Sequence, residues 1–217
     1  MVGSVVTSPP IELDAVCASY DDHREILRDL SLTLESGERL GLTGPNGSGK
    51  TTLLRLIVGL IRPTSGTLRV LGEEVNSEAQ FASVRRTVGL LFQDSDDQLF
   101  CPTVHEDVAF GPFNLGLSHA EVHAVVNETL DLLGLGDLEQ RITYQLSVGQ
   151  RRLVALATIL AMKPKVLLLD EPTAGLDETH EARLVEILQG LPQEMIIVSH
   201  NTPFLEEVAT RVQRLGA

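Results

Sequence analysis

At 217 residues, 43% apolar and 22% charged, the chain is long enough for one well-buried α/β domain and ordinary in composition for a globular protein. Its 30 acidic residues outnumber the 17 basic ones by 13, a balance that repels phosphate backbones and anionic lipid and argues against nucleic acid or a bare bilayer as direct partner. With no Trp and 4% aromatics, aliphatic side chains are expected to fill the core.

The first residues, MVGSVVTSPP, have neither a basic n-region nor an apolar core, and read as a frayed tail rather than a signal peptide. IELDAVCASY (11–20) alternates loosely like a strand, and SLTLESGERLGLTG (31–44) reads as two short strands around a turn at Gly37. TTLLRLIVGLIR (51–62) has apolar residues at helical spacing and is closed by PTSG. GTLRVLG (66–72) and TVGLLFQ (87–93) resume strand character. The stretch 94–117 looks irregular. SHAEVHAVVNETLDLLGLG (118–136) then predicts an amphipathic helix with Ser118 and Glu121 as a capping box, and the next helix begins at Ser147, capped with Gln150.

KVLLLD (165–170), MIIVSH (195–200) and VQRLGA (212–217) are short apolar runs of the kind that buried parallel strands show. Helical patterns between strands predict βα units in a mostly parallel sheet, with residues 94–162 a helical insertion into it. The longest apolar stretch, LVALATILAM (153–162), is roughly half a membrane span and is ended by Lys163 and Pro164. Cys17 and Cys101 lie far apart without metal-ligand spacing, as two reduced thiols of a cytosolic protein would.

Gly44 to Thr51, GPNGSGKT, fits the phosphate-loop pattern G-x-x-x-x-G-K-[ST] between a strand and a helix. Glycines let backbone N–H groups curl around a polyphosphate, and the helix N-terminus adds partial positive charge. Lys50 is expected to reach the β- and γ-phosphates and Thr51 to ligate Mg²⁺. VLLLDEP (166–172) ends a strand in two carboxylates, where open α/β sheets bind ligands. Asp170 is the expected Mg²⁺ residue. Glu171, on the other face of the pleat, is placed to orient or deprotonate an attacking water. His200 ends a third strand and is expected at the γ-phosphate. His23, His105, His119, His123 and His180 lack such placement and read as surface or packing residues.

Taken together, these residues resemble the ATP-binding-cassette ATPases, in the family's motif order and over nearly the whole chain. The resemblance implies a P-loop NTPase fold of α/β class, with an antiparallel β portion at the N-terminus, a mostly parallel central sheet and an inserted α-helical subdomain at about 94–162, all in one nucleotide-binding domain spanning 1–217. Tyr20 resembles the aromatic that stacks on adenine. GPNGSGKTT is similar to Walker A, which implies ATP contacts from Gly44, Asn46, Gly47, Ser48, Gly49, Lys50, Thr51 and Thr52. Gln93 resembles the Q-loop glutamine, which meets Mg²⁺ and the attacking water. LLLDEPTAGLD resembles Walker B with a catalytic Glu171 and a D-loop ending at Asp177, and His200 resembles the switch histidine.

LSVGQRR (146–152) occupies the signature position. Its helix N-terminus suits a γ-phosphate held by a second subunit, which implies trans contacts from Ser147, Gly149 and Gln150. The cofactors are then ATP and Mg²⁺, and the partner another ATPase subunit, either a second copy or a paralogue. Val148 stands where the family has glycine. As the first helical position needs only ordinary helical φ/ψ, the expected effect is slower or looser closure rather than a dead site.

FQDSDDQLFCPTVHEDVAFGPFNLGLS (92–118) looks like the ATPases of energy-coupling-factor importers, notably those for cobalt and nickel. That resemblance implies a transmembrane coupling protein, a substrate-binding membrane subunit and a place on the cytoplasmic face of the membrane, reached through protein contacts. Only 17 residues follow His200, so a C-terminal regulatory extension is not expected. Two other readings remain open at this point: a soluble, non-transport cassette, against which the acidic charge and lack of coiled-coil arms count, and a regulatory cassette with little turnover, favoured by Val148 alone.

Overall fold

A computed structural model describes residues 8–20 and 25–216. His23, most of the N-terminal tail and the last residue of the final predicted strand lie outside them. In chain order the first elements are β1 (Ile11–Ser19), β2 (Glu25–Leu34), β3 (Arg39–Thr43), α1 (Lys50–Ile57), β4 (Ser65–Val70), β5 (Glu73–Glu74), α2 (Glu78–Thr87) and β6 (Val88–Leu91). There follow α3 (Val104–Asn114), α4 (His119–Leu133), α5 (Val148–Leu160), β7 (Val166–Asp170), α6 (Glu178–Gly190), β8 (Glu194–Val198), α7 (Thr202–Val208) and β9 (Arg211–Arg214).

Two sheets result. One is antiparallel, in the order β2-β1-β4-β5; the other has the order β6-β7-β8-β3-β9 and all its neighbours are parallel. Helices cover one face of the parallel sheet and α1 with the antiparallel sheet covers the other, and burial on both faces is why its strands read as unbroken apolar runs rather than alternating ones. The side chains still alternate. Leu167, Leu169, Met195 and Ile197 join one core with α3, α4, α5, α6 and α7. Val166, Leu168, Ile196 and Val198 join a second core with α1 and the antiparallel sheet.

Three local outcomes differ from the sequence reading. The helix predicted over 51–62 stops at Ile57: Gly59, at φ 76, closes it with Gly59 N–H bonded to Leu56 O and Leu60 N–H to Arg55 O, the Schellman pairing. A helix, α2, occupies the unassigned stretch before β6 and is capped by Ser77 and Gln80. Within the stretch read as irregular lies α3, capped by Thr103 and Glu106 and carrying Pro112 close to its C-terminal end. Pro112 sits late enough that few hydrogen bonds are lost, so packing of Val104 and Val108 into the core outweighs the local penalty.

Candidate nucleotide site

The parallel order puts the carboxyl ends of β3, β7 and β8 side by side, and the loop between Thr43 and Lys50 rises from the first of them. Gly49 caps α1 in the left-handed region at φ 91, and a Cβ there would lie 2.5 Å from Leu27; only glycine serves. Lys50 is buried and folded over the loop, its Nζ donating to Gly44 O at 2.9 Å and Pro45 O at 3.0 Å. Those two carbonyls hold the ammonium where an anion entering the loop would meet it. Thr52 Oγ1 donates to Tyr20 Oη at 3.4 Å, which ties the exposed Tyr20 ring to the rim of the same loop.

Asp170 is buried at the end of β7. Burial pushes its carboxyl above the ordinary range, while the Thr51 hydroxyl and the cations of Arg55, Arg152 and Lys50 pull the other way. Glu171 follows with φ 47, left-handed for a non-glycine residue, held there by its N–H donating to Val198 O at 2.9 Å. The turn swings the Glu171 side chain towards β8. There the His200 N–H donates to Glu171 Oε2 at 3.2 Å, and His200 Nε2 lies 3.5 Å from Glu171 Oε1.

Two buried carboxylate oxygens of this region, Asp170 Oδ1 and Glu171 Oε1, have no hydrogen-bond partner. Unpaired buried oxygens next to a lysine and two threonines are what a polyphosphate with a divalent cation and its water shell would satisfy. Among the described residues no group of three or more His, Cys, Asp or Glu side chains converges on a point. A few protein ligands with the rest from phosphate and water is the Mg²⁺ pattern, and Thr51, Gln93 and Asp170 are the residues that would hold it.

These groups line one open cleft of about 910 Å³. Tyr20, Asn46, Gly47, Gly49, Lys50, Thr51, Thr52, Gln93, Asp170, Glu171 and His200 all border it. Gly44 and Ser48 lie under the loop instead, against the end of β9: a Cβ on Gly44 would collide with Leu215 O.

Ser147, Gly149, Gln150 and Asp177 do not line this cleft, and Val148 borders a neighbouring one that shares Gln93 and Ala174 with it. Ser147 N–H donates to Gln150 Oε1 at 3.0 Å and Gln150 N–H to Ser147 Oγ at 3.2 Å, the capping box predicted for α5. Among the described residues no acceptor meets the N–H groups of Val148 and Gly149. They are therefore the unpaired donors of the helix start, Val148 half-exposed and Gly149 buried against His180. A Cβ on Gly149 would sit 2.8 Å from the ring of His180, and His180 Nδ1 is 2.8 Å from Asp177 Oδ1. His180 is thus the packing residue between the start of α5 and the start of α6. The His180 backbone N–H, then its ring, hold the Asp177 carboxyl below the ordinary range. Val148 is half-exposed, its Cγ1 3.0 Å from where a Cβ on Gly175 would be.

One residue of this region went unassigned in the sequence. Arg152 is 2% exposed and sits immediately before the apolar run that begins at Leu153. The signal was available: position 152 is three residues after Gly149 and four before Leu156, both on the buried face of α5. Burial pushes its guanidinium down to about 10, against the pull of Asp170, Asp94 and Glu171. Arg151, its neighbour, faces outward and pairs with Asp96 at 2.9 Å.

Residues 27–174 match the family described as ABC transporter. An ABC transporter ATP-binding protein of Brucella suis is 53% identical over 203 residues, covering 94% of this chain and 84% of that one. The energy-coupling factor transporter ATP-binding protein EcfA of Methanothermobacter thermautotrophicus is 44% identical over 206 residues, 93% of this chain and 66% of its own. Among solved structures, cbiO1 from Clostridium perfringens, part of the ABC transporter complex cbiONQ, superposes with a TM-score of 0.86 at 32% identity, over 95% of this chain and 84% of that one. The ATP-binding cassette MJ0796, a dimer in a post-hydrolysis state bound to ADP and Pi, gives a TM-score of 0.85 at 26% identity, over 94% of each chain.

Proposed function

This chain belongs to the ABC transporter family and is one of its ATPases, and from that premise we propose that two such subunits close on ATP to power a membrane importer of cobalt, nickel or a vitamin. The observation that carries the proposal is a separation. Lys50, Asp170, Glu171 and His200 line one cleft, while the α5 start (Ser147, Gly149 and Gln150) and the D-loop Asp177 of the same chain line none of it. A second subunit whose α5 faces this cleft would bring Ser147, Gly149 and Gln150 to the γ-phosphate, with the helix dipole favouring the anion.

In that closed pair Tyr20 stacks on adenine and the 44–52 loop wraps the phosphates. Lys50 exchanges its two loop carbonyls for β- and γ-phosphate oxygens, which are stronger acceptors for an ammonium. Glu171 accepts a proton from water as the water oxygen bonds to the γ-phosphorus and the bond to the β-bridging oxygen breaks, leaving ADP and phosphate. His200 steadies Glu171 and donates to a γ-phosphate oxygen. Thr51, Gln93 and Asp170 would hold Mg²⁺, which would supply positive charge to offset the charge of the phosphates.

The importer reading leans on the similarity to EcfA and cbiO1 and on an aromatic patch. Phe100 and Phe110 pack edge to face with centroids 4.8 Å apart, yet both remain substantially exposed, with Phe113 one turn further along α3. Asp107 accepts the N–H groups of Phe100 and Cys101, so the patch is held rigid. Residues 94–162 form the helical unit that carries both this patch and the start of α5. Through the patch it would meet a transmembrane coupling protein, itself joined to a substrate-binding membrane subunit. No helix among the described residues is long and apolar enough to cross a membrane, so contact with the cytoplasmic face of the membrane runs through those partners.

Proteoliposomes containing this chain, a transmembrane coupling protein and a substrate-binding membrane subunit should take up radiolabelled cobalt, nickel or a vitamin only with ATP in the compartment that holds the ATPase. Uptake of none of these, with ATPase activity intact, would remove the importer reading. Val148→Gly is expected to leave turnover equal or raise it, since the N–H stays and two methyls beside the partner's phosphate go; a steady-state assay showing a clear fall would contradict this.

A further inference from the structure

We propose that Arg152 is a positioning residue for hydrolysis: its guanidinium pins the main chain at Gln93 and at Glu171 to the signature helix, so that three moving parts share one rigid joint. The geometry is specific. Arg152 Nε donates to Pro172 O at 3.2 Å; one terminal nitrogen donates to Phe92 O at 2.5 Å and Gln93 O at 2.9 Å; the other donates to Asp170 O at 2.7 Å and Glu171 O at 2.5 Å. Every donor of the fork is used, and every acceptor is a backbone carbonyl rather than a carboxylate.

The reason for a cation here lies in the sheet. β6 and β7 pair only as far as Leu91 opposite Leu169. Past that point the two chains part, and their carbonyls turn inward with no strand to receive them. A buried carbonyl left alone is costly, and several facing one point repel one another. Arg152 takes the place of the missing strand, and being anchored on α5 it also fixes how far Ser147 and Gly149 stand from the strand ends. A lysine would offer three donors without the planar fork, and methionine none.

This inference rests on the reading of Glu171 and Gln93 given above. Neither Arg152 side chain nor its donors border the cleft, so its loss should act on the rate and not on nucleotide affinity. The test is steady-state kinetics with calorimetric Mg-ATP binding for wild type, Arg152→Lys and Arg152→Met. Expected are unchanged Kd and KM in the lysine variant with kcat lower by about tenfold, and a fall of about 10²-fold in the methionine variant, the scale of an ångström-level misplacement of catalytic groups. Should the methionine variant fail to fold, the lysine variant decides. A folded Arg152→Lys with wild-type kcat, or with affinity lost in step with kcat, overturns the proposal. A wild type without turnover would instead overturn the ATPase-pair reading itself.

Discussion

Glu171→Gln is expected to lower ATP turnover by about 10²–10⁴-fold, the range for removal of a general base, while leaving ATP affinity nearly intact. The amide is close in shape to the carboxylate, and its oxygen can still accept the His200 N–H that now reaches Glu171 Oε2. The strained φ of 47 is set by the Glu171 N–H bond to Val198 O, which the substitution does not touch. What is lost is the proton acceptor. Single-turnover release of phosphate from the purified variant measures this directly. If the variant turned over at the wild-type rate, Glu171 would be a structural residue at a strand end, and the water-activating group would have to be sought elsewhere in the cleft.

Lys50→Ala is expected to weaken ATP binding by about 30- to 5,000-fold, corresponding to the 2–5 kcal/mol typical of removing one partner from a buried charge pair. Lys50 is 7% exposed and its Nζ is already held over the loop by Gly44 O and Pro45 O. Little ordering entropy therefore remains to be lost when phosphate arrives, which raises the share of the interaction that appears as affinity. The two carbonyls left behind lie at an open cleft and can turn to water, so the fold should survive. Fluorescence titration with a labelled ATP analogue, beside thermal unfolding, separates the two effects. Loss of folding without loss of affinity in the surviving fraction would contradict the assignment.

Much of this was legible in the sequence because each piece carried a local rule. The phosphate loop has a fixed spacing, buried parallel strands have unbroken apolar runs, and Ser118 and Ser147 announce their helices with Glu121 and Gln150 three residues on. The helices that went unread, α2 and α3, carry the same signal in Ser77 with Gln80 and Thr103 with Glu106. In α3 it is masked by Gly111 and Pro112, whose tolerance depends on tertiary packing of Val104 and Val108. Other features have no sequence rule at all. The left-handed turn at Glu171 arises from where β8 stands, and Gly149 is confined by the ring of His180, 31 residues further along. Arg152 was visible as a misplaced charge in an apolar stripe, but the carbonyls it serves belong to two separate strand ends.

The separation of the α5 start from the cleft makes the central claim a matter of stoichiometry. Light scattering on Glu171→Gln, with and without Mg-ATP, weighs the species directly. The account predicts one chain mass without nucleotide and two with it (or two only when the paralogous partner is added), and Lys50→Ala introduced into the same variant should return it to one. A Glu171→Gln chain that binds ATP yet stays at one mass, alone and with its partner, would contradict the shared site.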